Sequence, residues 1–231
     1  MATDRNRSRA IVLCAIVALG LAAIAVPASA QAQKWMTPPL AEPTVEEPVP
    51  VLVKAEGKLS LLSKSGLSKI QFNCESLAIE SGLLEVEGKD SGKALLAGCS
   101  TLLGGVVQKA CVPSSPSTSE GSGEISFGFK GQLVMHEGTA YERIEPASGE
   151  TFVEIRYPKG CSLTATKVTG SLYAQEVNGE LEVGAAAHSF KEGTSGLGGL
   201  KYGTNPATVE GNVSVSITGM HAGEPWSGLG G

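Results

Sequence analysis

Two pairs of glutamates stand at the spacing that puts both carboxyls on one face of a strand: Glu85 with Glu87, and Glu180 with Glu182. Glycosidases work with two carboxyls about 5 to 10 Å apart, so such pairs permit a secreted glycoside or cell-wall hydrolase. Acidic residues on the wet face of a sheet have the same spacing without any chemistry. Little else points to turnover. His136, His188 and His221 lie far apart, whereas metal sites usually place histidines about three to five residues apart or among carboxylates. There is no G-x-S-x-G elbow, no H-E-x-x-H and no P-loop. The serine-rich stretch "PSSPSTSEGSG" at 113–123 offers hydroxyls without an activating base, and reads as a flexible surface loop. Asp90 is the only aspartate beyond residue 30, which leaves too few for a calcium loop. The expectation is therefore no catalytic residue, no cofactor and no metal.

The cysteines carry the clearest covalent chemistry. The N-terminus has Arg5, Arg7 and Arg9, an uncharged apolar run from Ala10 to Val26, and Ala28 and Ala30 in an A-x-A arrangement before Gln31. This is the three-part pattern of a signal peptide, residues 1–30, and it predicts a secreted or envelope-associated chain. The run spans 17 residues, just short of a membrane span, so the membrane is met only through Ala10 to Val26 if that segment stays uncleaved. Cys14 lies near the start of the apolar run, the wrong place for a lipidated cysteine. Cys74, Cys99, Cys111 and Cys161 then remain, an even number in an exported chain, which reads as two disulfides. No C-x-x-C occurs to suggest zinc.

Charge narrows the partners. Without residues 1–30, which hold three arginines and Asp4, the formal charge moves from −5 to −7. Only Arg143 and Arg156 remain as arginines, so nucleic acid is not expected as a partner. A cell-wall or glycan surface is the open alternative, with a stacking platform at Tyr141, Tyr157, Tyr173 or Tyr202, since Trp35 lies in the spacer and Trp226 near the terminus.

These residues need a scaffold. Residues 31–50 hold five prolines and read as an extended spacer, with a single domain at 51–231. In that domain "EISFGFKGQLVMHEG" puts Ile125, Phe127, Phe129, Leu133 and Met135 on one parity, the period of a half-buried strand, with Gly131 allowing a bulge or bend. "ATVEGNVSVSI" repeats the pattern at Ala207, Val209, Val213, Val215 and Ile217. Further strands are expected at 58–63, 69–74, 76–80, 83–87, 94–99, 141–145 and 151–157, and Asn178-Gly179 reads as a hairpin turn. Residues 101–107 could form a helical turn, and 192–203 a glycine-rich loop. Strands this short, broken by glycine turns, predict an all-β, disulfide-stapled antiparallel sandwich or barrel-like domain.

In "FVEIRYPKGCSLTATKVTGSLY" the apolar parity changes near Lys167, which predicts a bulge there. A weak echo relates "CESLAIESGLLEVEG" to "CSLTATKVTGSLYAQEVNG". If the two segments hold similar places in the sheet, Cys74 pairs with Cys161 and Cys99 with Cys111; the rival set is Cys74 with Cys99 and Cys111 with Cys161.

The cysteine order, "AGCS", "GFKGQLV", "EPASGETFVEI", "CSLTATKVTGSLY" and the end "GLGGLKYGTNPATVEGNVSVSITG" with Trp226 resemble a group of uncharacterised exported proteins from soil actinobacteria. The resemblance spans most of residues 70–226 and implies a secreted β domain of unknown function, with no catalytic residues to carry over. The chain departs from it at "YPKG", where a strand running directly into Cys161 is expected. The expectation for function is non-catalytic surface binding or a structural role.

Overall fold

The computed structural model describes residue 35 and residues 47–65, 68–136, 139–176, 182–183, 186–190, 199–223 and 225–226. The chain divides into two units, residues 1–31 and 32–231, and every described residue belongs to the second. The expected signal segment 1–30, most of the spacer, the Asn178-Gly179 turn and residues 192–198 lie outside the described residues.

The second unit is antiparallel β structure, as its period-two patterning requires. Its first strands are β1 (Val49–Ala55), β2 (Leu59–Ser65), β3 (Ser68–Cys74), β4 (Ser76–Leu84), β5 (Lys89–Ala97), β6 (Ser100–Leu103), β7 (Val106–Val107) and β8 (Ile125–His136). They are followed by β9 (Thr139–Pro146), β10 (Thr151–Ile155), β11 (Thr166–Thr169), β12 (Leu172–Glu176), β13 (Glu182–Val183), β14 (Ala186–Phe190), β15 (Lys201–Tyr202), β16 (Asn205–Ile217) and β17 (Pro225–Trp226). Pairings run β1-β4-β5-β8-β9-β12-β14-β16 and return from β16 to β1, so the sheet curls back on itself. The other end of β16 pairs with β2, which continues through β3 and β6 to β7. A third set, β10, β11 and β15, also joins β16.

β16 serves all of these because it changes partners at Gly211. Glu210 faces Ser60 on β2, while Gly211 faces Phe190 on β14 and Val213 faces Ala55 on β1. Gly211 has φ +138°, and a Cβ there would run into Leu59. Only glycine fits that position.

Alternation supplies the interior. Ile125, Leu133, Val213, Val215 and Ile217 are buried, on the parity the sequence assigns to them. The core falls into two clusters. One gathers around Phe72, Ile125, Phe152 and Ile155, the other around Trp35, Leu59, Leu133 and Val215.

Several expectations are corrected. Thr101 to Val107 is not helical: β6 and β7 form a hairpin around Gly104 and Gly105, both at positive φ, which suits a tight primed turn. β13, beyond the Asn178-Gly179 pair, is joined to β17, and the expected hairpin turn itself lies outside the described residues. Residues 161–165 are not a strand; β11 begins at Thr166, after a turn at Pro158 to Gly160. The parity change is thus a loop entering a strand, and the irregular pairing falls instead between Thr151 and Val153. Gly131 marks no bulge, since β8 keeps unbroken register with β5 and β9 through it.

The spacer is corrected at both ends. β1 begins at Val49, and Trp35 is buried in the core, 1% exposed, with its indole N–H donating to the Lys89 carbonyl at 2.6 Å. The serine-rich stretch is not a loose loop either. Ser114 and Ser115 are buried, the Ser114 and Arg156 backbones exchange hydrogen bonds, and Ser115 Oγ accepts from the Ser126 amide.

The disulfides join Cys74 to Cys99 and Cys111 to Cys161, which overturns the pairing of Cys74 with Cys161 and Cys99 with Cys111. Register explains the outcome. Asn73 faces Ser100 across the β3–β6 ladder, so the next residues outward, Cys74 and Cys99, are opposite each other with Cα atoms 3.9 Å apart. Ser114 bridges Arg156, and beyond that isolated bridge Cys111 and Cys161 meet with Cα atoms 4.9 Å apart. The echo carried no structural meaning: one segment continues into β4, the other is a loop. The closed loops span 25 and 50 residues, worth roughly 3.5 and 4 kcal/mol by the chain-entropy relation. Non-reducing peptide mapping is expected to recover Cys74 linked to Cys99 and Cys111 linked to Cys161; a Cys74–Cys161 peptide would contradict the register.

Candidate functional site

The curled sheet encloses a cavity of about 170 Å³ between the two core clusters. Its wall is built from inward positions: Phe127 and Phe129 of β8, Ile144 of β9, Val153 of β10, Val213 of β16 and Trp226 of β17. Trp35 and Trp226 both line it, packed on one another with ring centroids 5.7 Å apart. Among the described residues, no lysine, arginine or histidine lies on the wall.

Two acids do. Asp90, Ala94 and Leu96 share one parity of β5, and Glu142 shares that of Ala140 and Ile144 on β9; Asp90 and Glu142 thus stand where apolar side chains are expected. β5 and β9 are not neighbours, since β8 runs between them. Two strand spacings, about 9 to 10 Å, are too far for short acidic side chains to cross over an ordinary residue. The register removes the obstacle. Asp90 faces Gly131 on β8, and a Cβ at Gly131 would overlap the Asp90 carboxyl. The carboxyl therefore lies over the glycine, where it forms a hydrogen bond with Glu142.

A hydrogen bond between two carboxyls needs a proton. Asp90 is 7% exposed, and burial is the main cause that holds its carboxyl well above the usual range; the charge of Glu142, its hydrogen bond, and then the charge of Glu85 act in the same direction. Asp90 thus keeps its proton to higher pH than a free aspartate does. Among the described residues, no backbone N–H, hydroxyl or cation donates to Asp90 Oδ2. Three donors on the wall are bonded elsewhere. Ser91 Oγ donates to Glu85 Oε1 at 2.5 Å, Ser60 Oγ to Asn73 Oδ1 at 2.8 Å, and the Trp35 indole to the Lys89 carbonyl.

The residues singled out from the sequence are placed elsewhere. Glu85 and Glu87 do not share a strand face, because Val86–Gly88 is a 3-10 turn and Glu87 has φ +61°. Glu87 pairs with Lys89 on the surface. Of the second pair, Glu180 lies outside the described residues, and Glu182 is in β13. His136 is half-buried, edge-on to Tyr141. Arg143 and Arg156 are each bonded to a glutamate two residues away, Glu145 and Glu154. Tyr141 and Tyr202 are buried, and the Tyr157 and Tyr202 hydroxyls lie 2.9 Å apart, so three of the four tyrosines are not free to stack on a surface glycan. Burial, then that bond, holds the Tyr157 phenol well above its ordinary value. Among the described residues no group of three His, Cys, Asp or Glu side chains is arranged to hold a metal ion.

The acid pair itself was missed. Its signal was present: the sole aspartate beyond residue 30, and a glutamate on the same parity as Ile144. Neither draws notice until the register shows the glycine between them.

Two outcomes follow from this geometry. Gly131→Ala is expected to destabilise the native chain by about 1 to 3 kcal/mol through overpacking against the Asp90 carboxyl. In an Asp90→Gly background the same change should cost much less, which urea denaturation of the four proteins would measure as a coupling energy. The second concerns pH. The folded chain holds on Asp90 a proton that the unfolded chain releases above the ordinary aspartate value of 3.8. Stability is therefore full below that value and is lost as pH rises through the folded one. Asp90→Asn removes the penalty, so its melting temperature should exceed that of the native chain at pH 7, with the difference shrinking toward pH 4 in thermal scans by circular dichroism.

The chain matches no family model, no curated protein and no solved structure.

Proposed function

We propose that the chain is an exported, non-catalytic binding protein whose curled β domain takes a small apolar ligand into its interior cavity. The observation that carries this reading is the cavity itself. At about 24 cal/mol per Å³, a space of 170 Å³ costs a fold about 4 kcal/mol relative to packed side chains. Protein interiors hold few voids larger than a water molecule, and an apolar cavity of about 150 Å³ is large enough for a molecule of benzene size. This moves the expected binding from the outer surface to the inside, the usual place of ligand sites in curled and barrel-like sheets.

Export is part of the same proposal. It is supported by the three-part N-terminal pattern, by two disulfides of a kind that persist in oxidising compartments, and by the division of the chain at residue 31, next to the expected cleavage point. Among the described residues, no helix is long and apolar enough to cross a membrane. A glycoside hydrolase finds less support. Asp90 and Glu142 are in hydrogen-bond contact, which leaves no room between them for a glycosidic bond and a water, and the cavity wall is apolar where a sugar needs polar partners.

The test uses the two tryptophans, the only ones in the chain, both of which line the cavity. Titration with propylbenzene is expected to give a saturable change in tryptophan emission and to raise the melting temperature with ligand concentration. Ala94→Leu, which places bulk on the wall, should abolish that response while the protein stays folded. An absent or non-saturable response, or one unaltered in Ala94→Leu, would overturn the proposal.

A further inference from the structure

One wall of the cavity is attached to the fold at its two ends in different ways. β10, β11 and β15 form a small sheet that gives Phe152, Val153, Ile155 and Val168 to the cavity, with Leu200 just before β15. Thr151, Thr169, Lys201 and Pro206 stand in one row across it, and from that row the chain runs on to β9, β12 and the rest of β16. β10 pairs with β11 alone, so no ladder joins its outer edge to the strands it covers. Side chains seat it there: Phe152 lies edge-on to Phe127, with ring centroids 5.7 Å apart, and Tyr202 packs on Phe72 at 5.4 Å. At the opposite end, residues 156–165 are held from outside. Cys161 is bonded to Cys111, the Ser114 and Arg156 backbones exchange hydrogen bonds of 2.9 and 2.8 Å, and the Lys159 amide donates to Glu120 Oε1 at 3.3 Å. The holding side is itself fixed, since the Cys99 amide donates to the Gly123 carbonyl and the Ser126 amide to Ser115 Oγ.

We infer that β10, β11 and β15 are a flap over the cavity, hinged at the row through Thr151, Thr169 and Lys201, and that the Cys111–Cys161 disulfide is its latch, released by an external dithiol; the use of the flap, to admit a ligand, rests on the reading of the cavity as a binding site.

Access separates the two disulfides. Cys74 and Cys99 are both buried in a core cluster, whereas Cys161 is half-buried in a loop whose Lys159, Gly160, Ser162, Thr164 and Ala165 are exposed. Exchange requires a thiolate to reach a sulfur, so the second bond is the one open to attack. A thiolate of the dithiol bonds to Cys161 Sγ as the bond to Cys111 breaks, and Cys111 leaves as a thiolate that takes up a proton from water. The second thiol of the reductant gives up its proton and displaces Cys161, whose Sγ accepts from the Leu163 amide at 3.2 Å, a contact that stabilises the departing thiolate. The reductant ends as a disulfide and the protein as two thiols. The flap is then held by apolar seating and the hydrogen bonds of residues 156 and 159, and local opening of such an element costs less than global unfolding.

The experiment treats the full native chain with dithiothreitol and follows three readouts. Alkylation and peptide mapping are expected to find Cys111 and Cys161 labelled before Cys74 and Cys99. In the chain so reduced, hydrogen exchange should show lost protection in β10 and β11 while β5 and β8 keep theirs. Association and dissociation of propylbenzene, followed by stopped-flow tryptophan emission, should both quicken roughly tenfold or more with little change in affinity. A chain carrying Cys111→Ser and Cys161→Ser should behave in the same way without reductant; where circular dichroism shows it unfolded, the reduced native chain carries the test. Labelling of Cys74 and Cys99 first, or protection lost evenly across β5 and β8, would overturn the latch. So would unchanged protection in β10 and β11, or unchanged propylbenzene rates, once Cys111 and Cys161 are reduced. If propylbenzene does not bind at all, the proposed function falls, and flap and latch stand or fall by labelling and exchange.

Discussion

β16 is hydrogen-bonded along both edges, to β1 on one side and β14 on the other, and that double pairing turns a long sheet into an enclosure. A flat antiparallel sheet has two equivalent faces, and packing against another layer decides which is buried. A sheet that returns on itself has an inside, and every second residue of each participating strand is committed to it. The constraint reaches the single residue at Gly211, where the strand must pass from the β2 ladder to the β1 and β14 ladders with a backbone geometry closed to side chains. From there the rest is forced: Val213, Val215 and Ile217 point inward, as do the alternate residues of β5, β8 and β9 that face them across the cavity.

An acid inside such an enclosure has few ways to be tolerated. It can neutralise itself, pair with a base or meet a ligand. Asp90 and Glu142 take the first course in part, by holding a proton between two carboxyls, and Gly131 makes that contact possible by leaving a gap in the strand that separates them. Three residues on three strands act as one unit. The glycine gives the aspartate its place, and the charge of Glu142 adds to burial in raising the proton affinity of Asp90. A surface carboxyl contributes nothing comparable: Glu87, Glu80, Glu145 and Glu154 are all ion-paired in the open, where such contacts are worth little.

Most of the scaffold can be read from periodicity, and most of the site cannot. The alternation of Ile125, Phe127, Phe129 and Leu133 names a strand and its buried face without any knowledge of neighbours, because side-chain parity is a local property. Disulfide pairing is different. Cys74 meets Cys99 because β3 lies beside β6, a fact about register that four cysteines and their spacings do not contain. The same limit hid the acid pair, since Gly131 looks like any strand glycine until β5 and β8 are aligned at Asp90. Trp35 was obscured for another reason. Proline density argues against regular structure in a sequence, but it does not stop one large aromatic ring from being buried, and Trp35 is buried.

The placement of the covalent links bears on how the cavity is kept open. A poorly packed interior tends to collapse when its walls can move, so a fold that holds space inside must fix its walls by other means. Cys74 and Cys99 are buried members of one core cluster, and tie β3 to the start of β6. Cys111 and Cys161 fasten the serine-rich stretch to the turn after β10, next to the hydrogen-bonded exchange between Ser114 and Arg156. On the side of the other cluster, Trp35 and Trp226 pack together, with Trp35 anchored to the backbone beside Asp90. Each cluster thus has a fastening that does not depend on filling the space between them. The stability lost to the cavity and the stability gained from one such loop closure are both of the order of 4 kcal/mol, so the walls can be held without the interior being full.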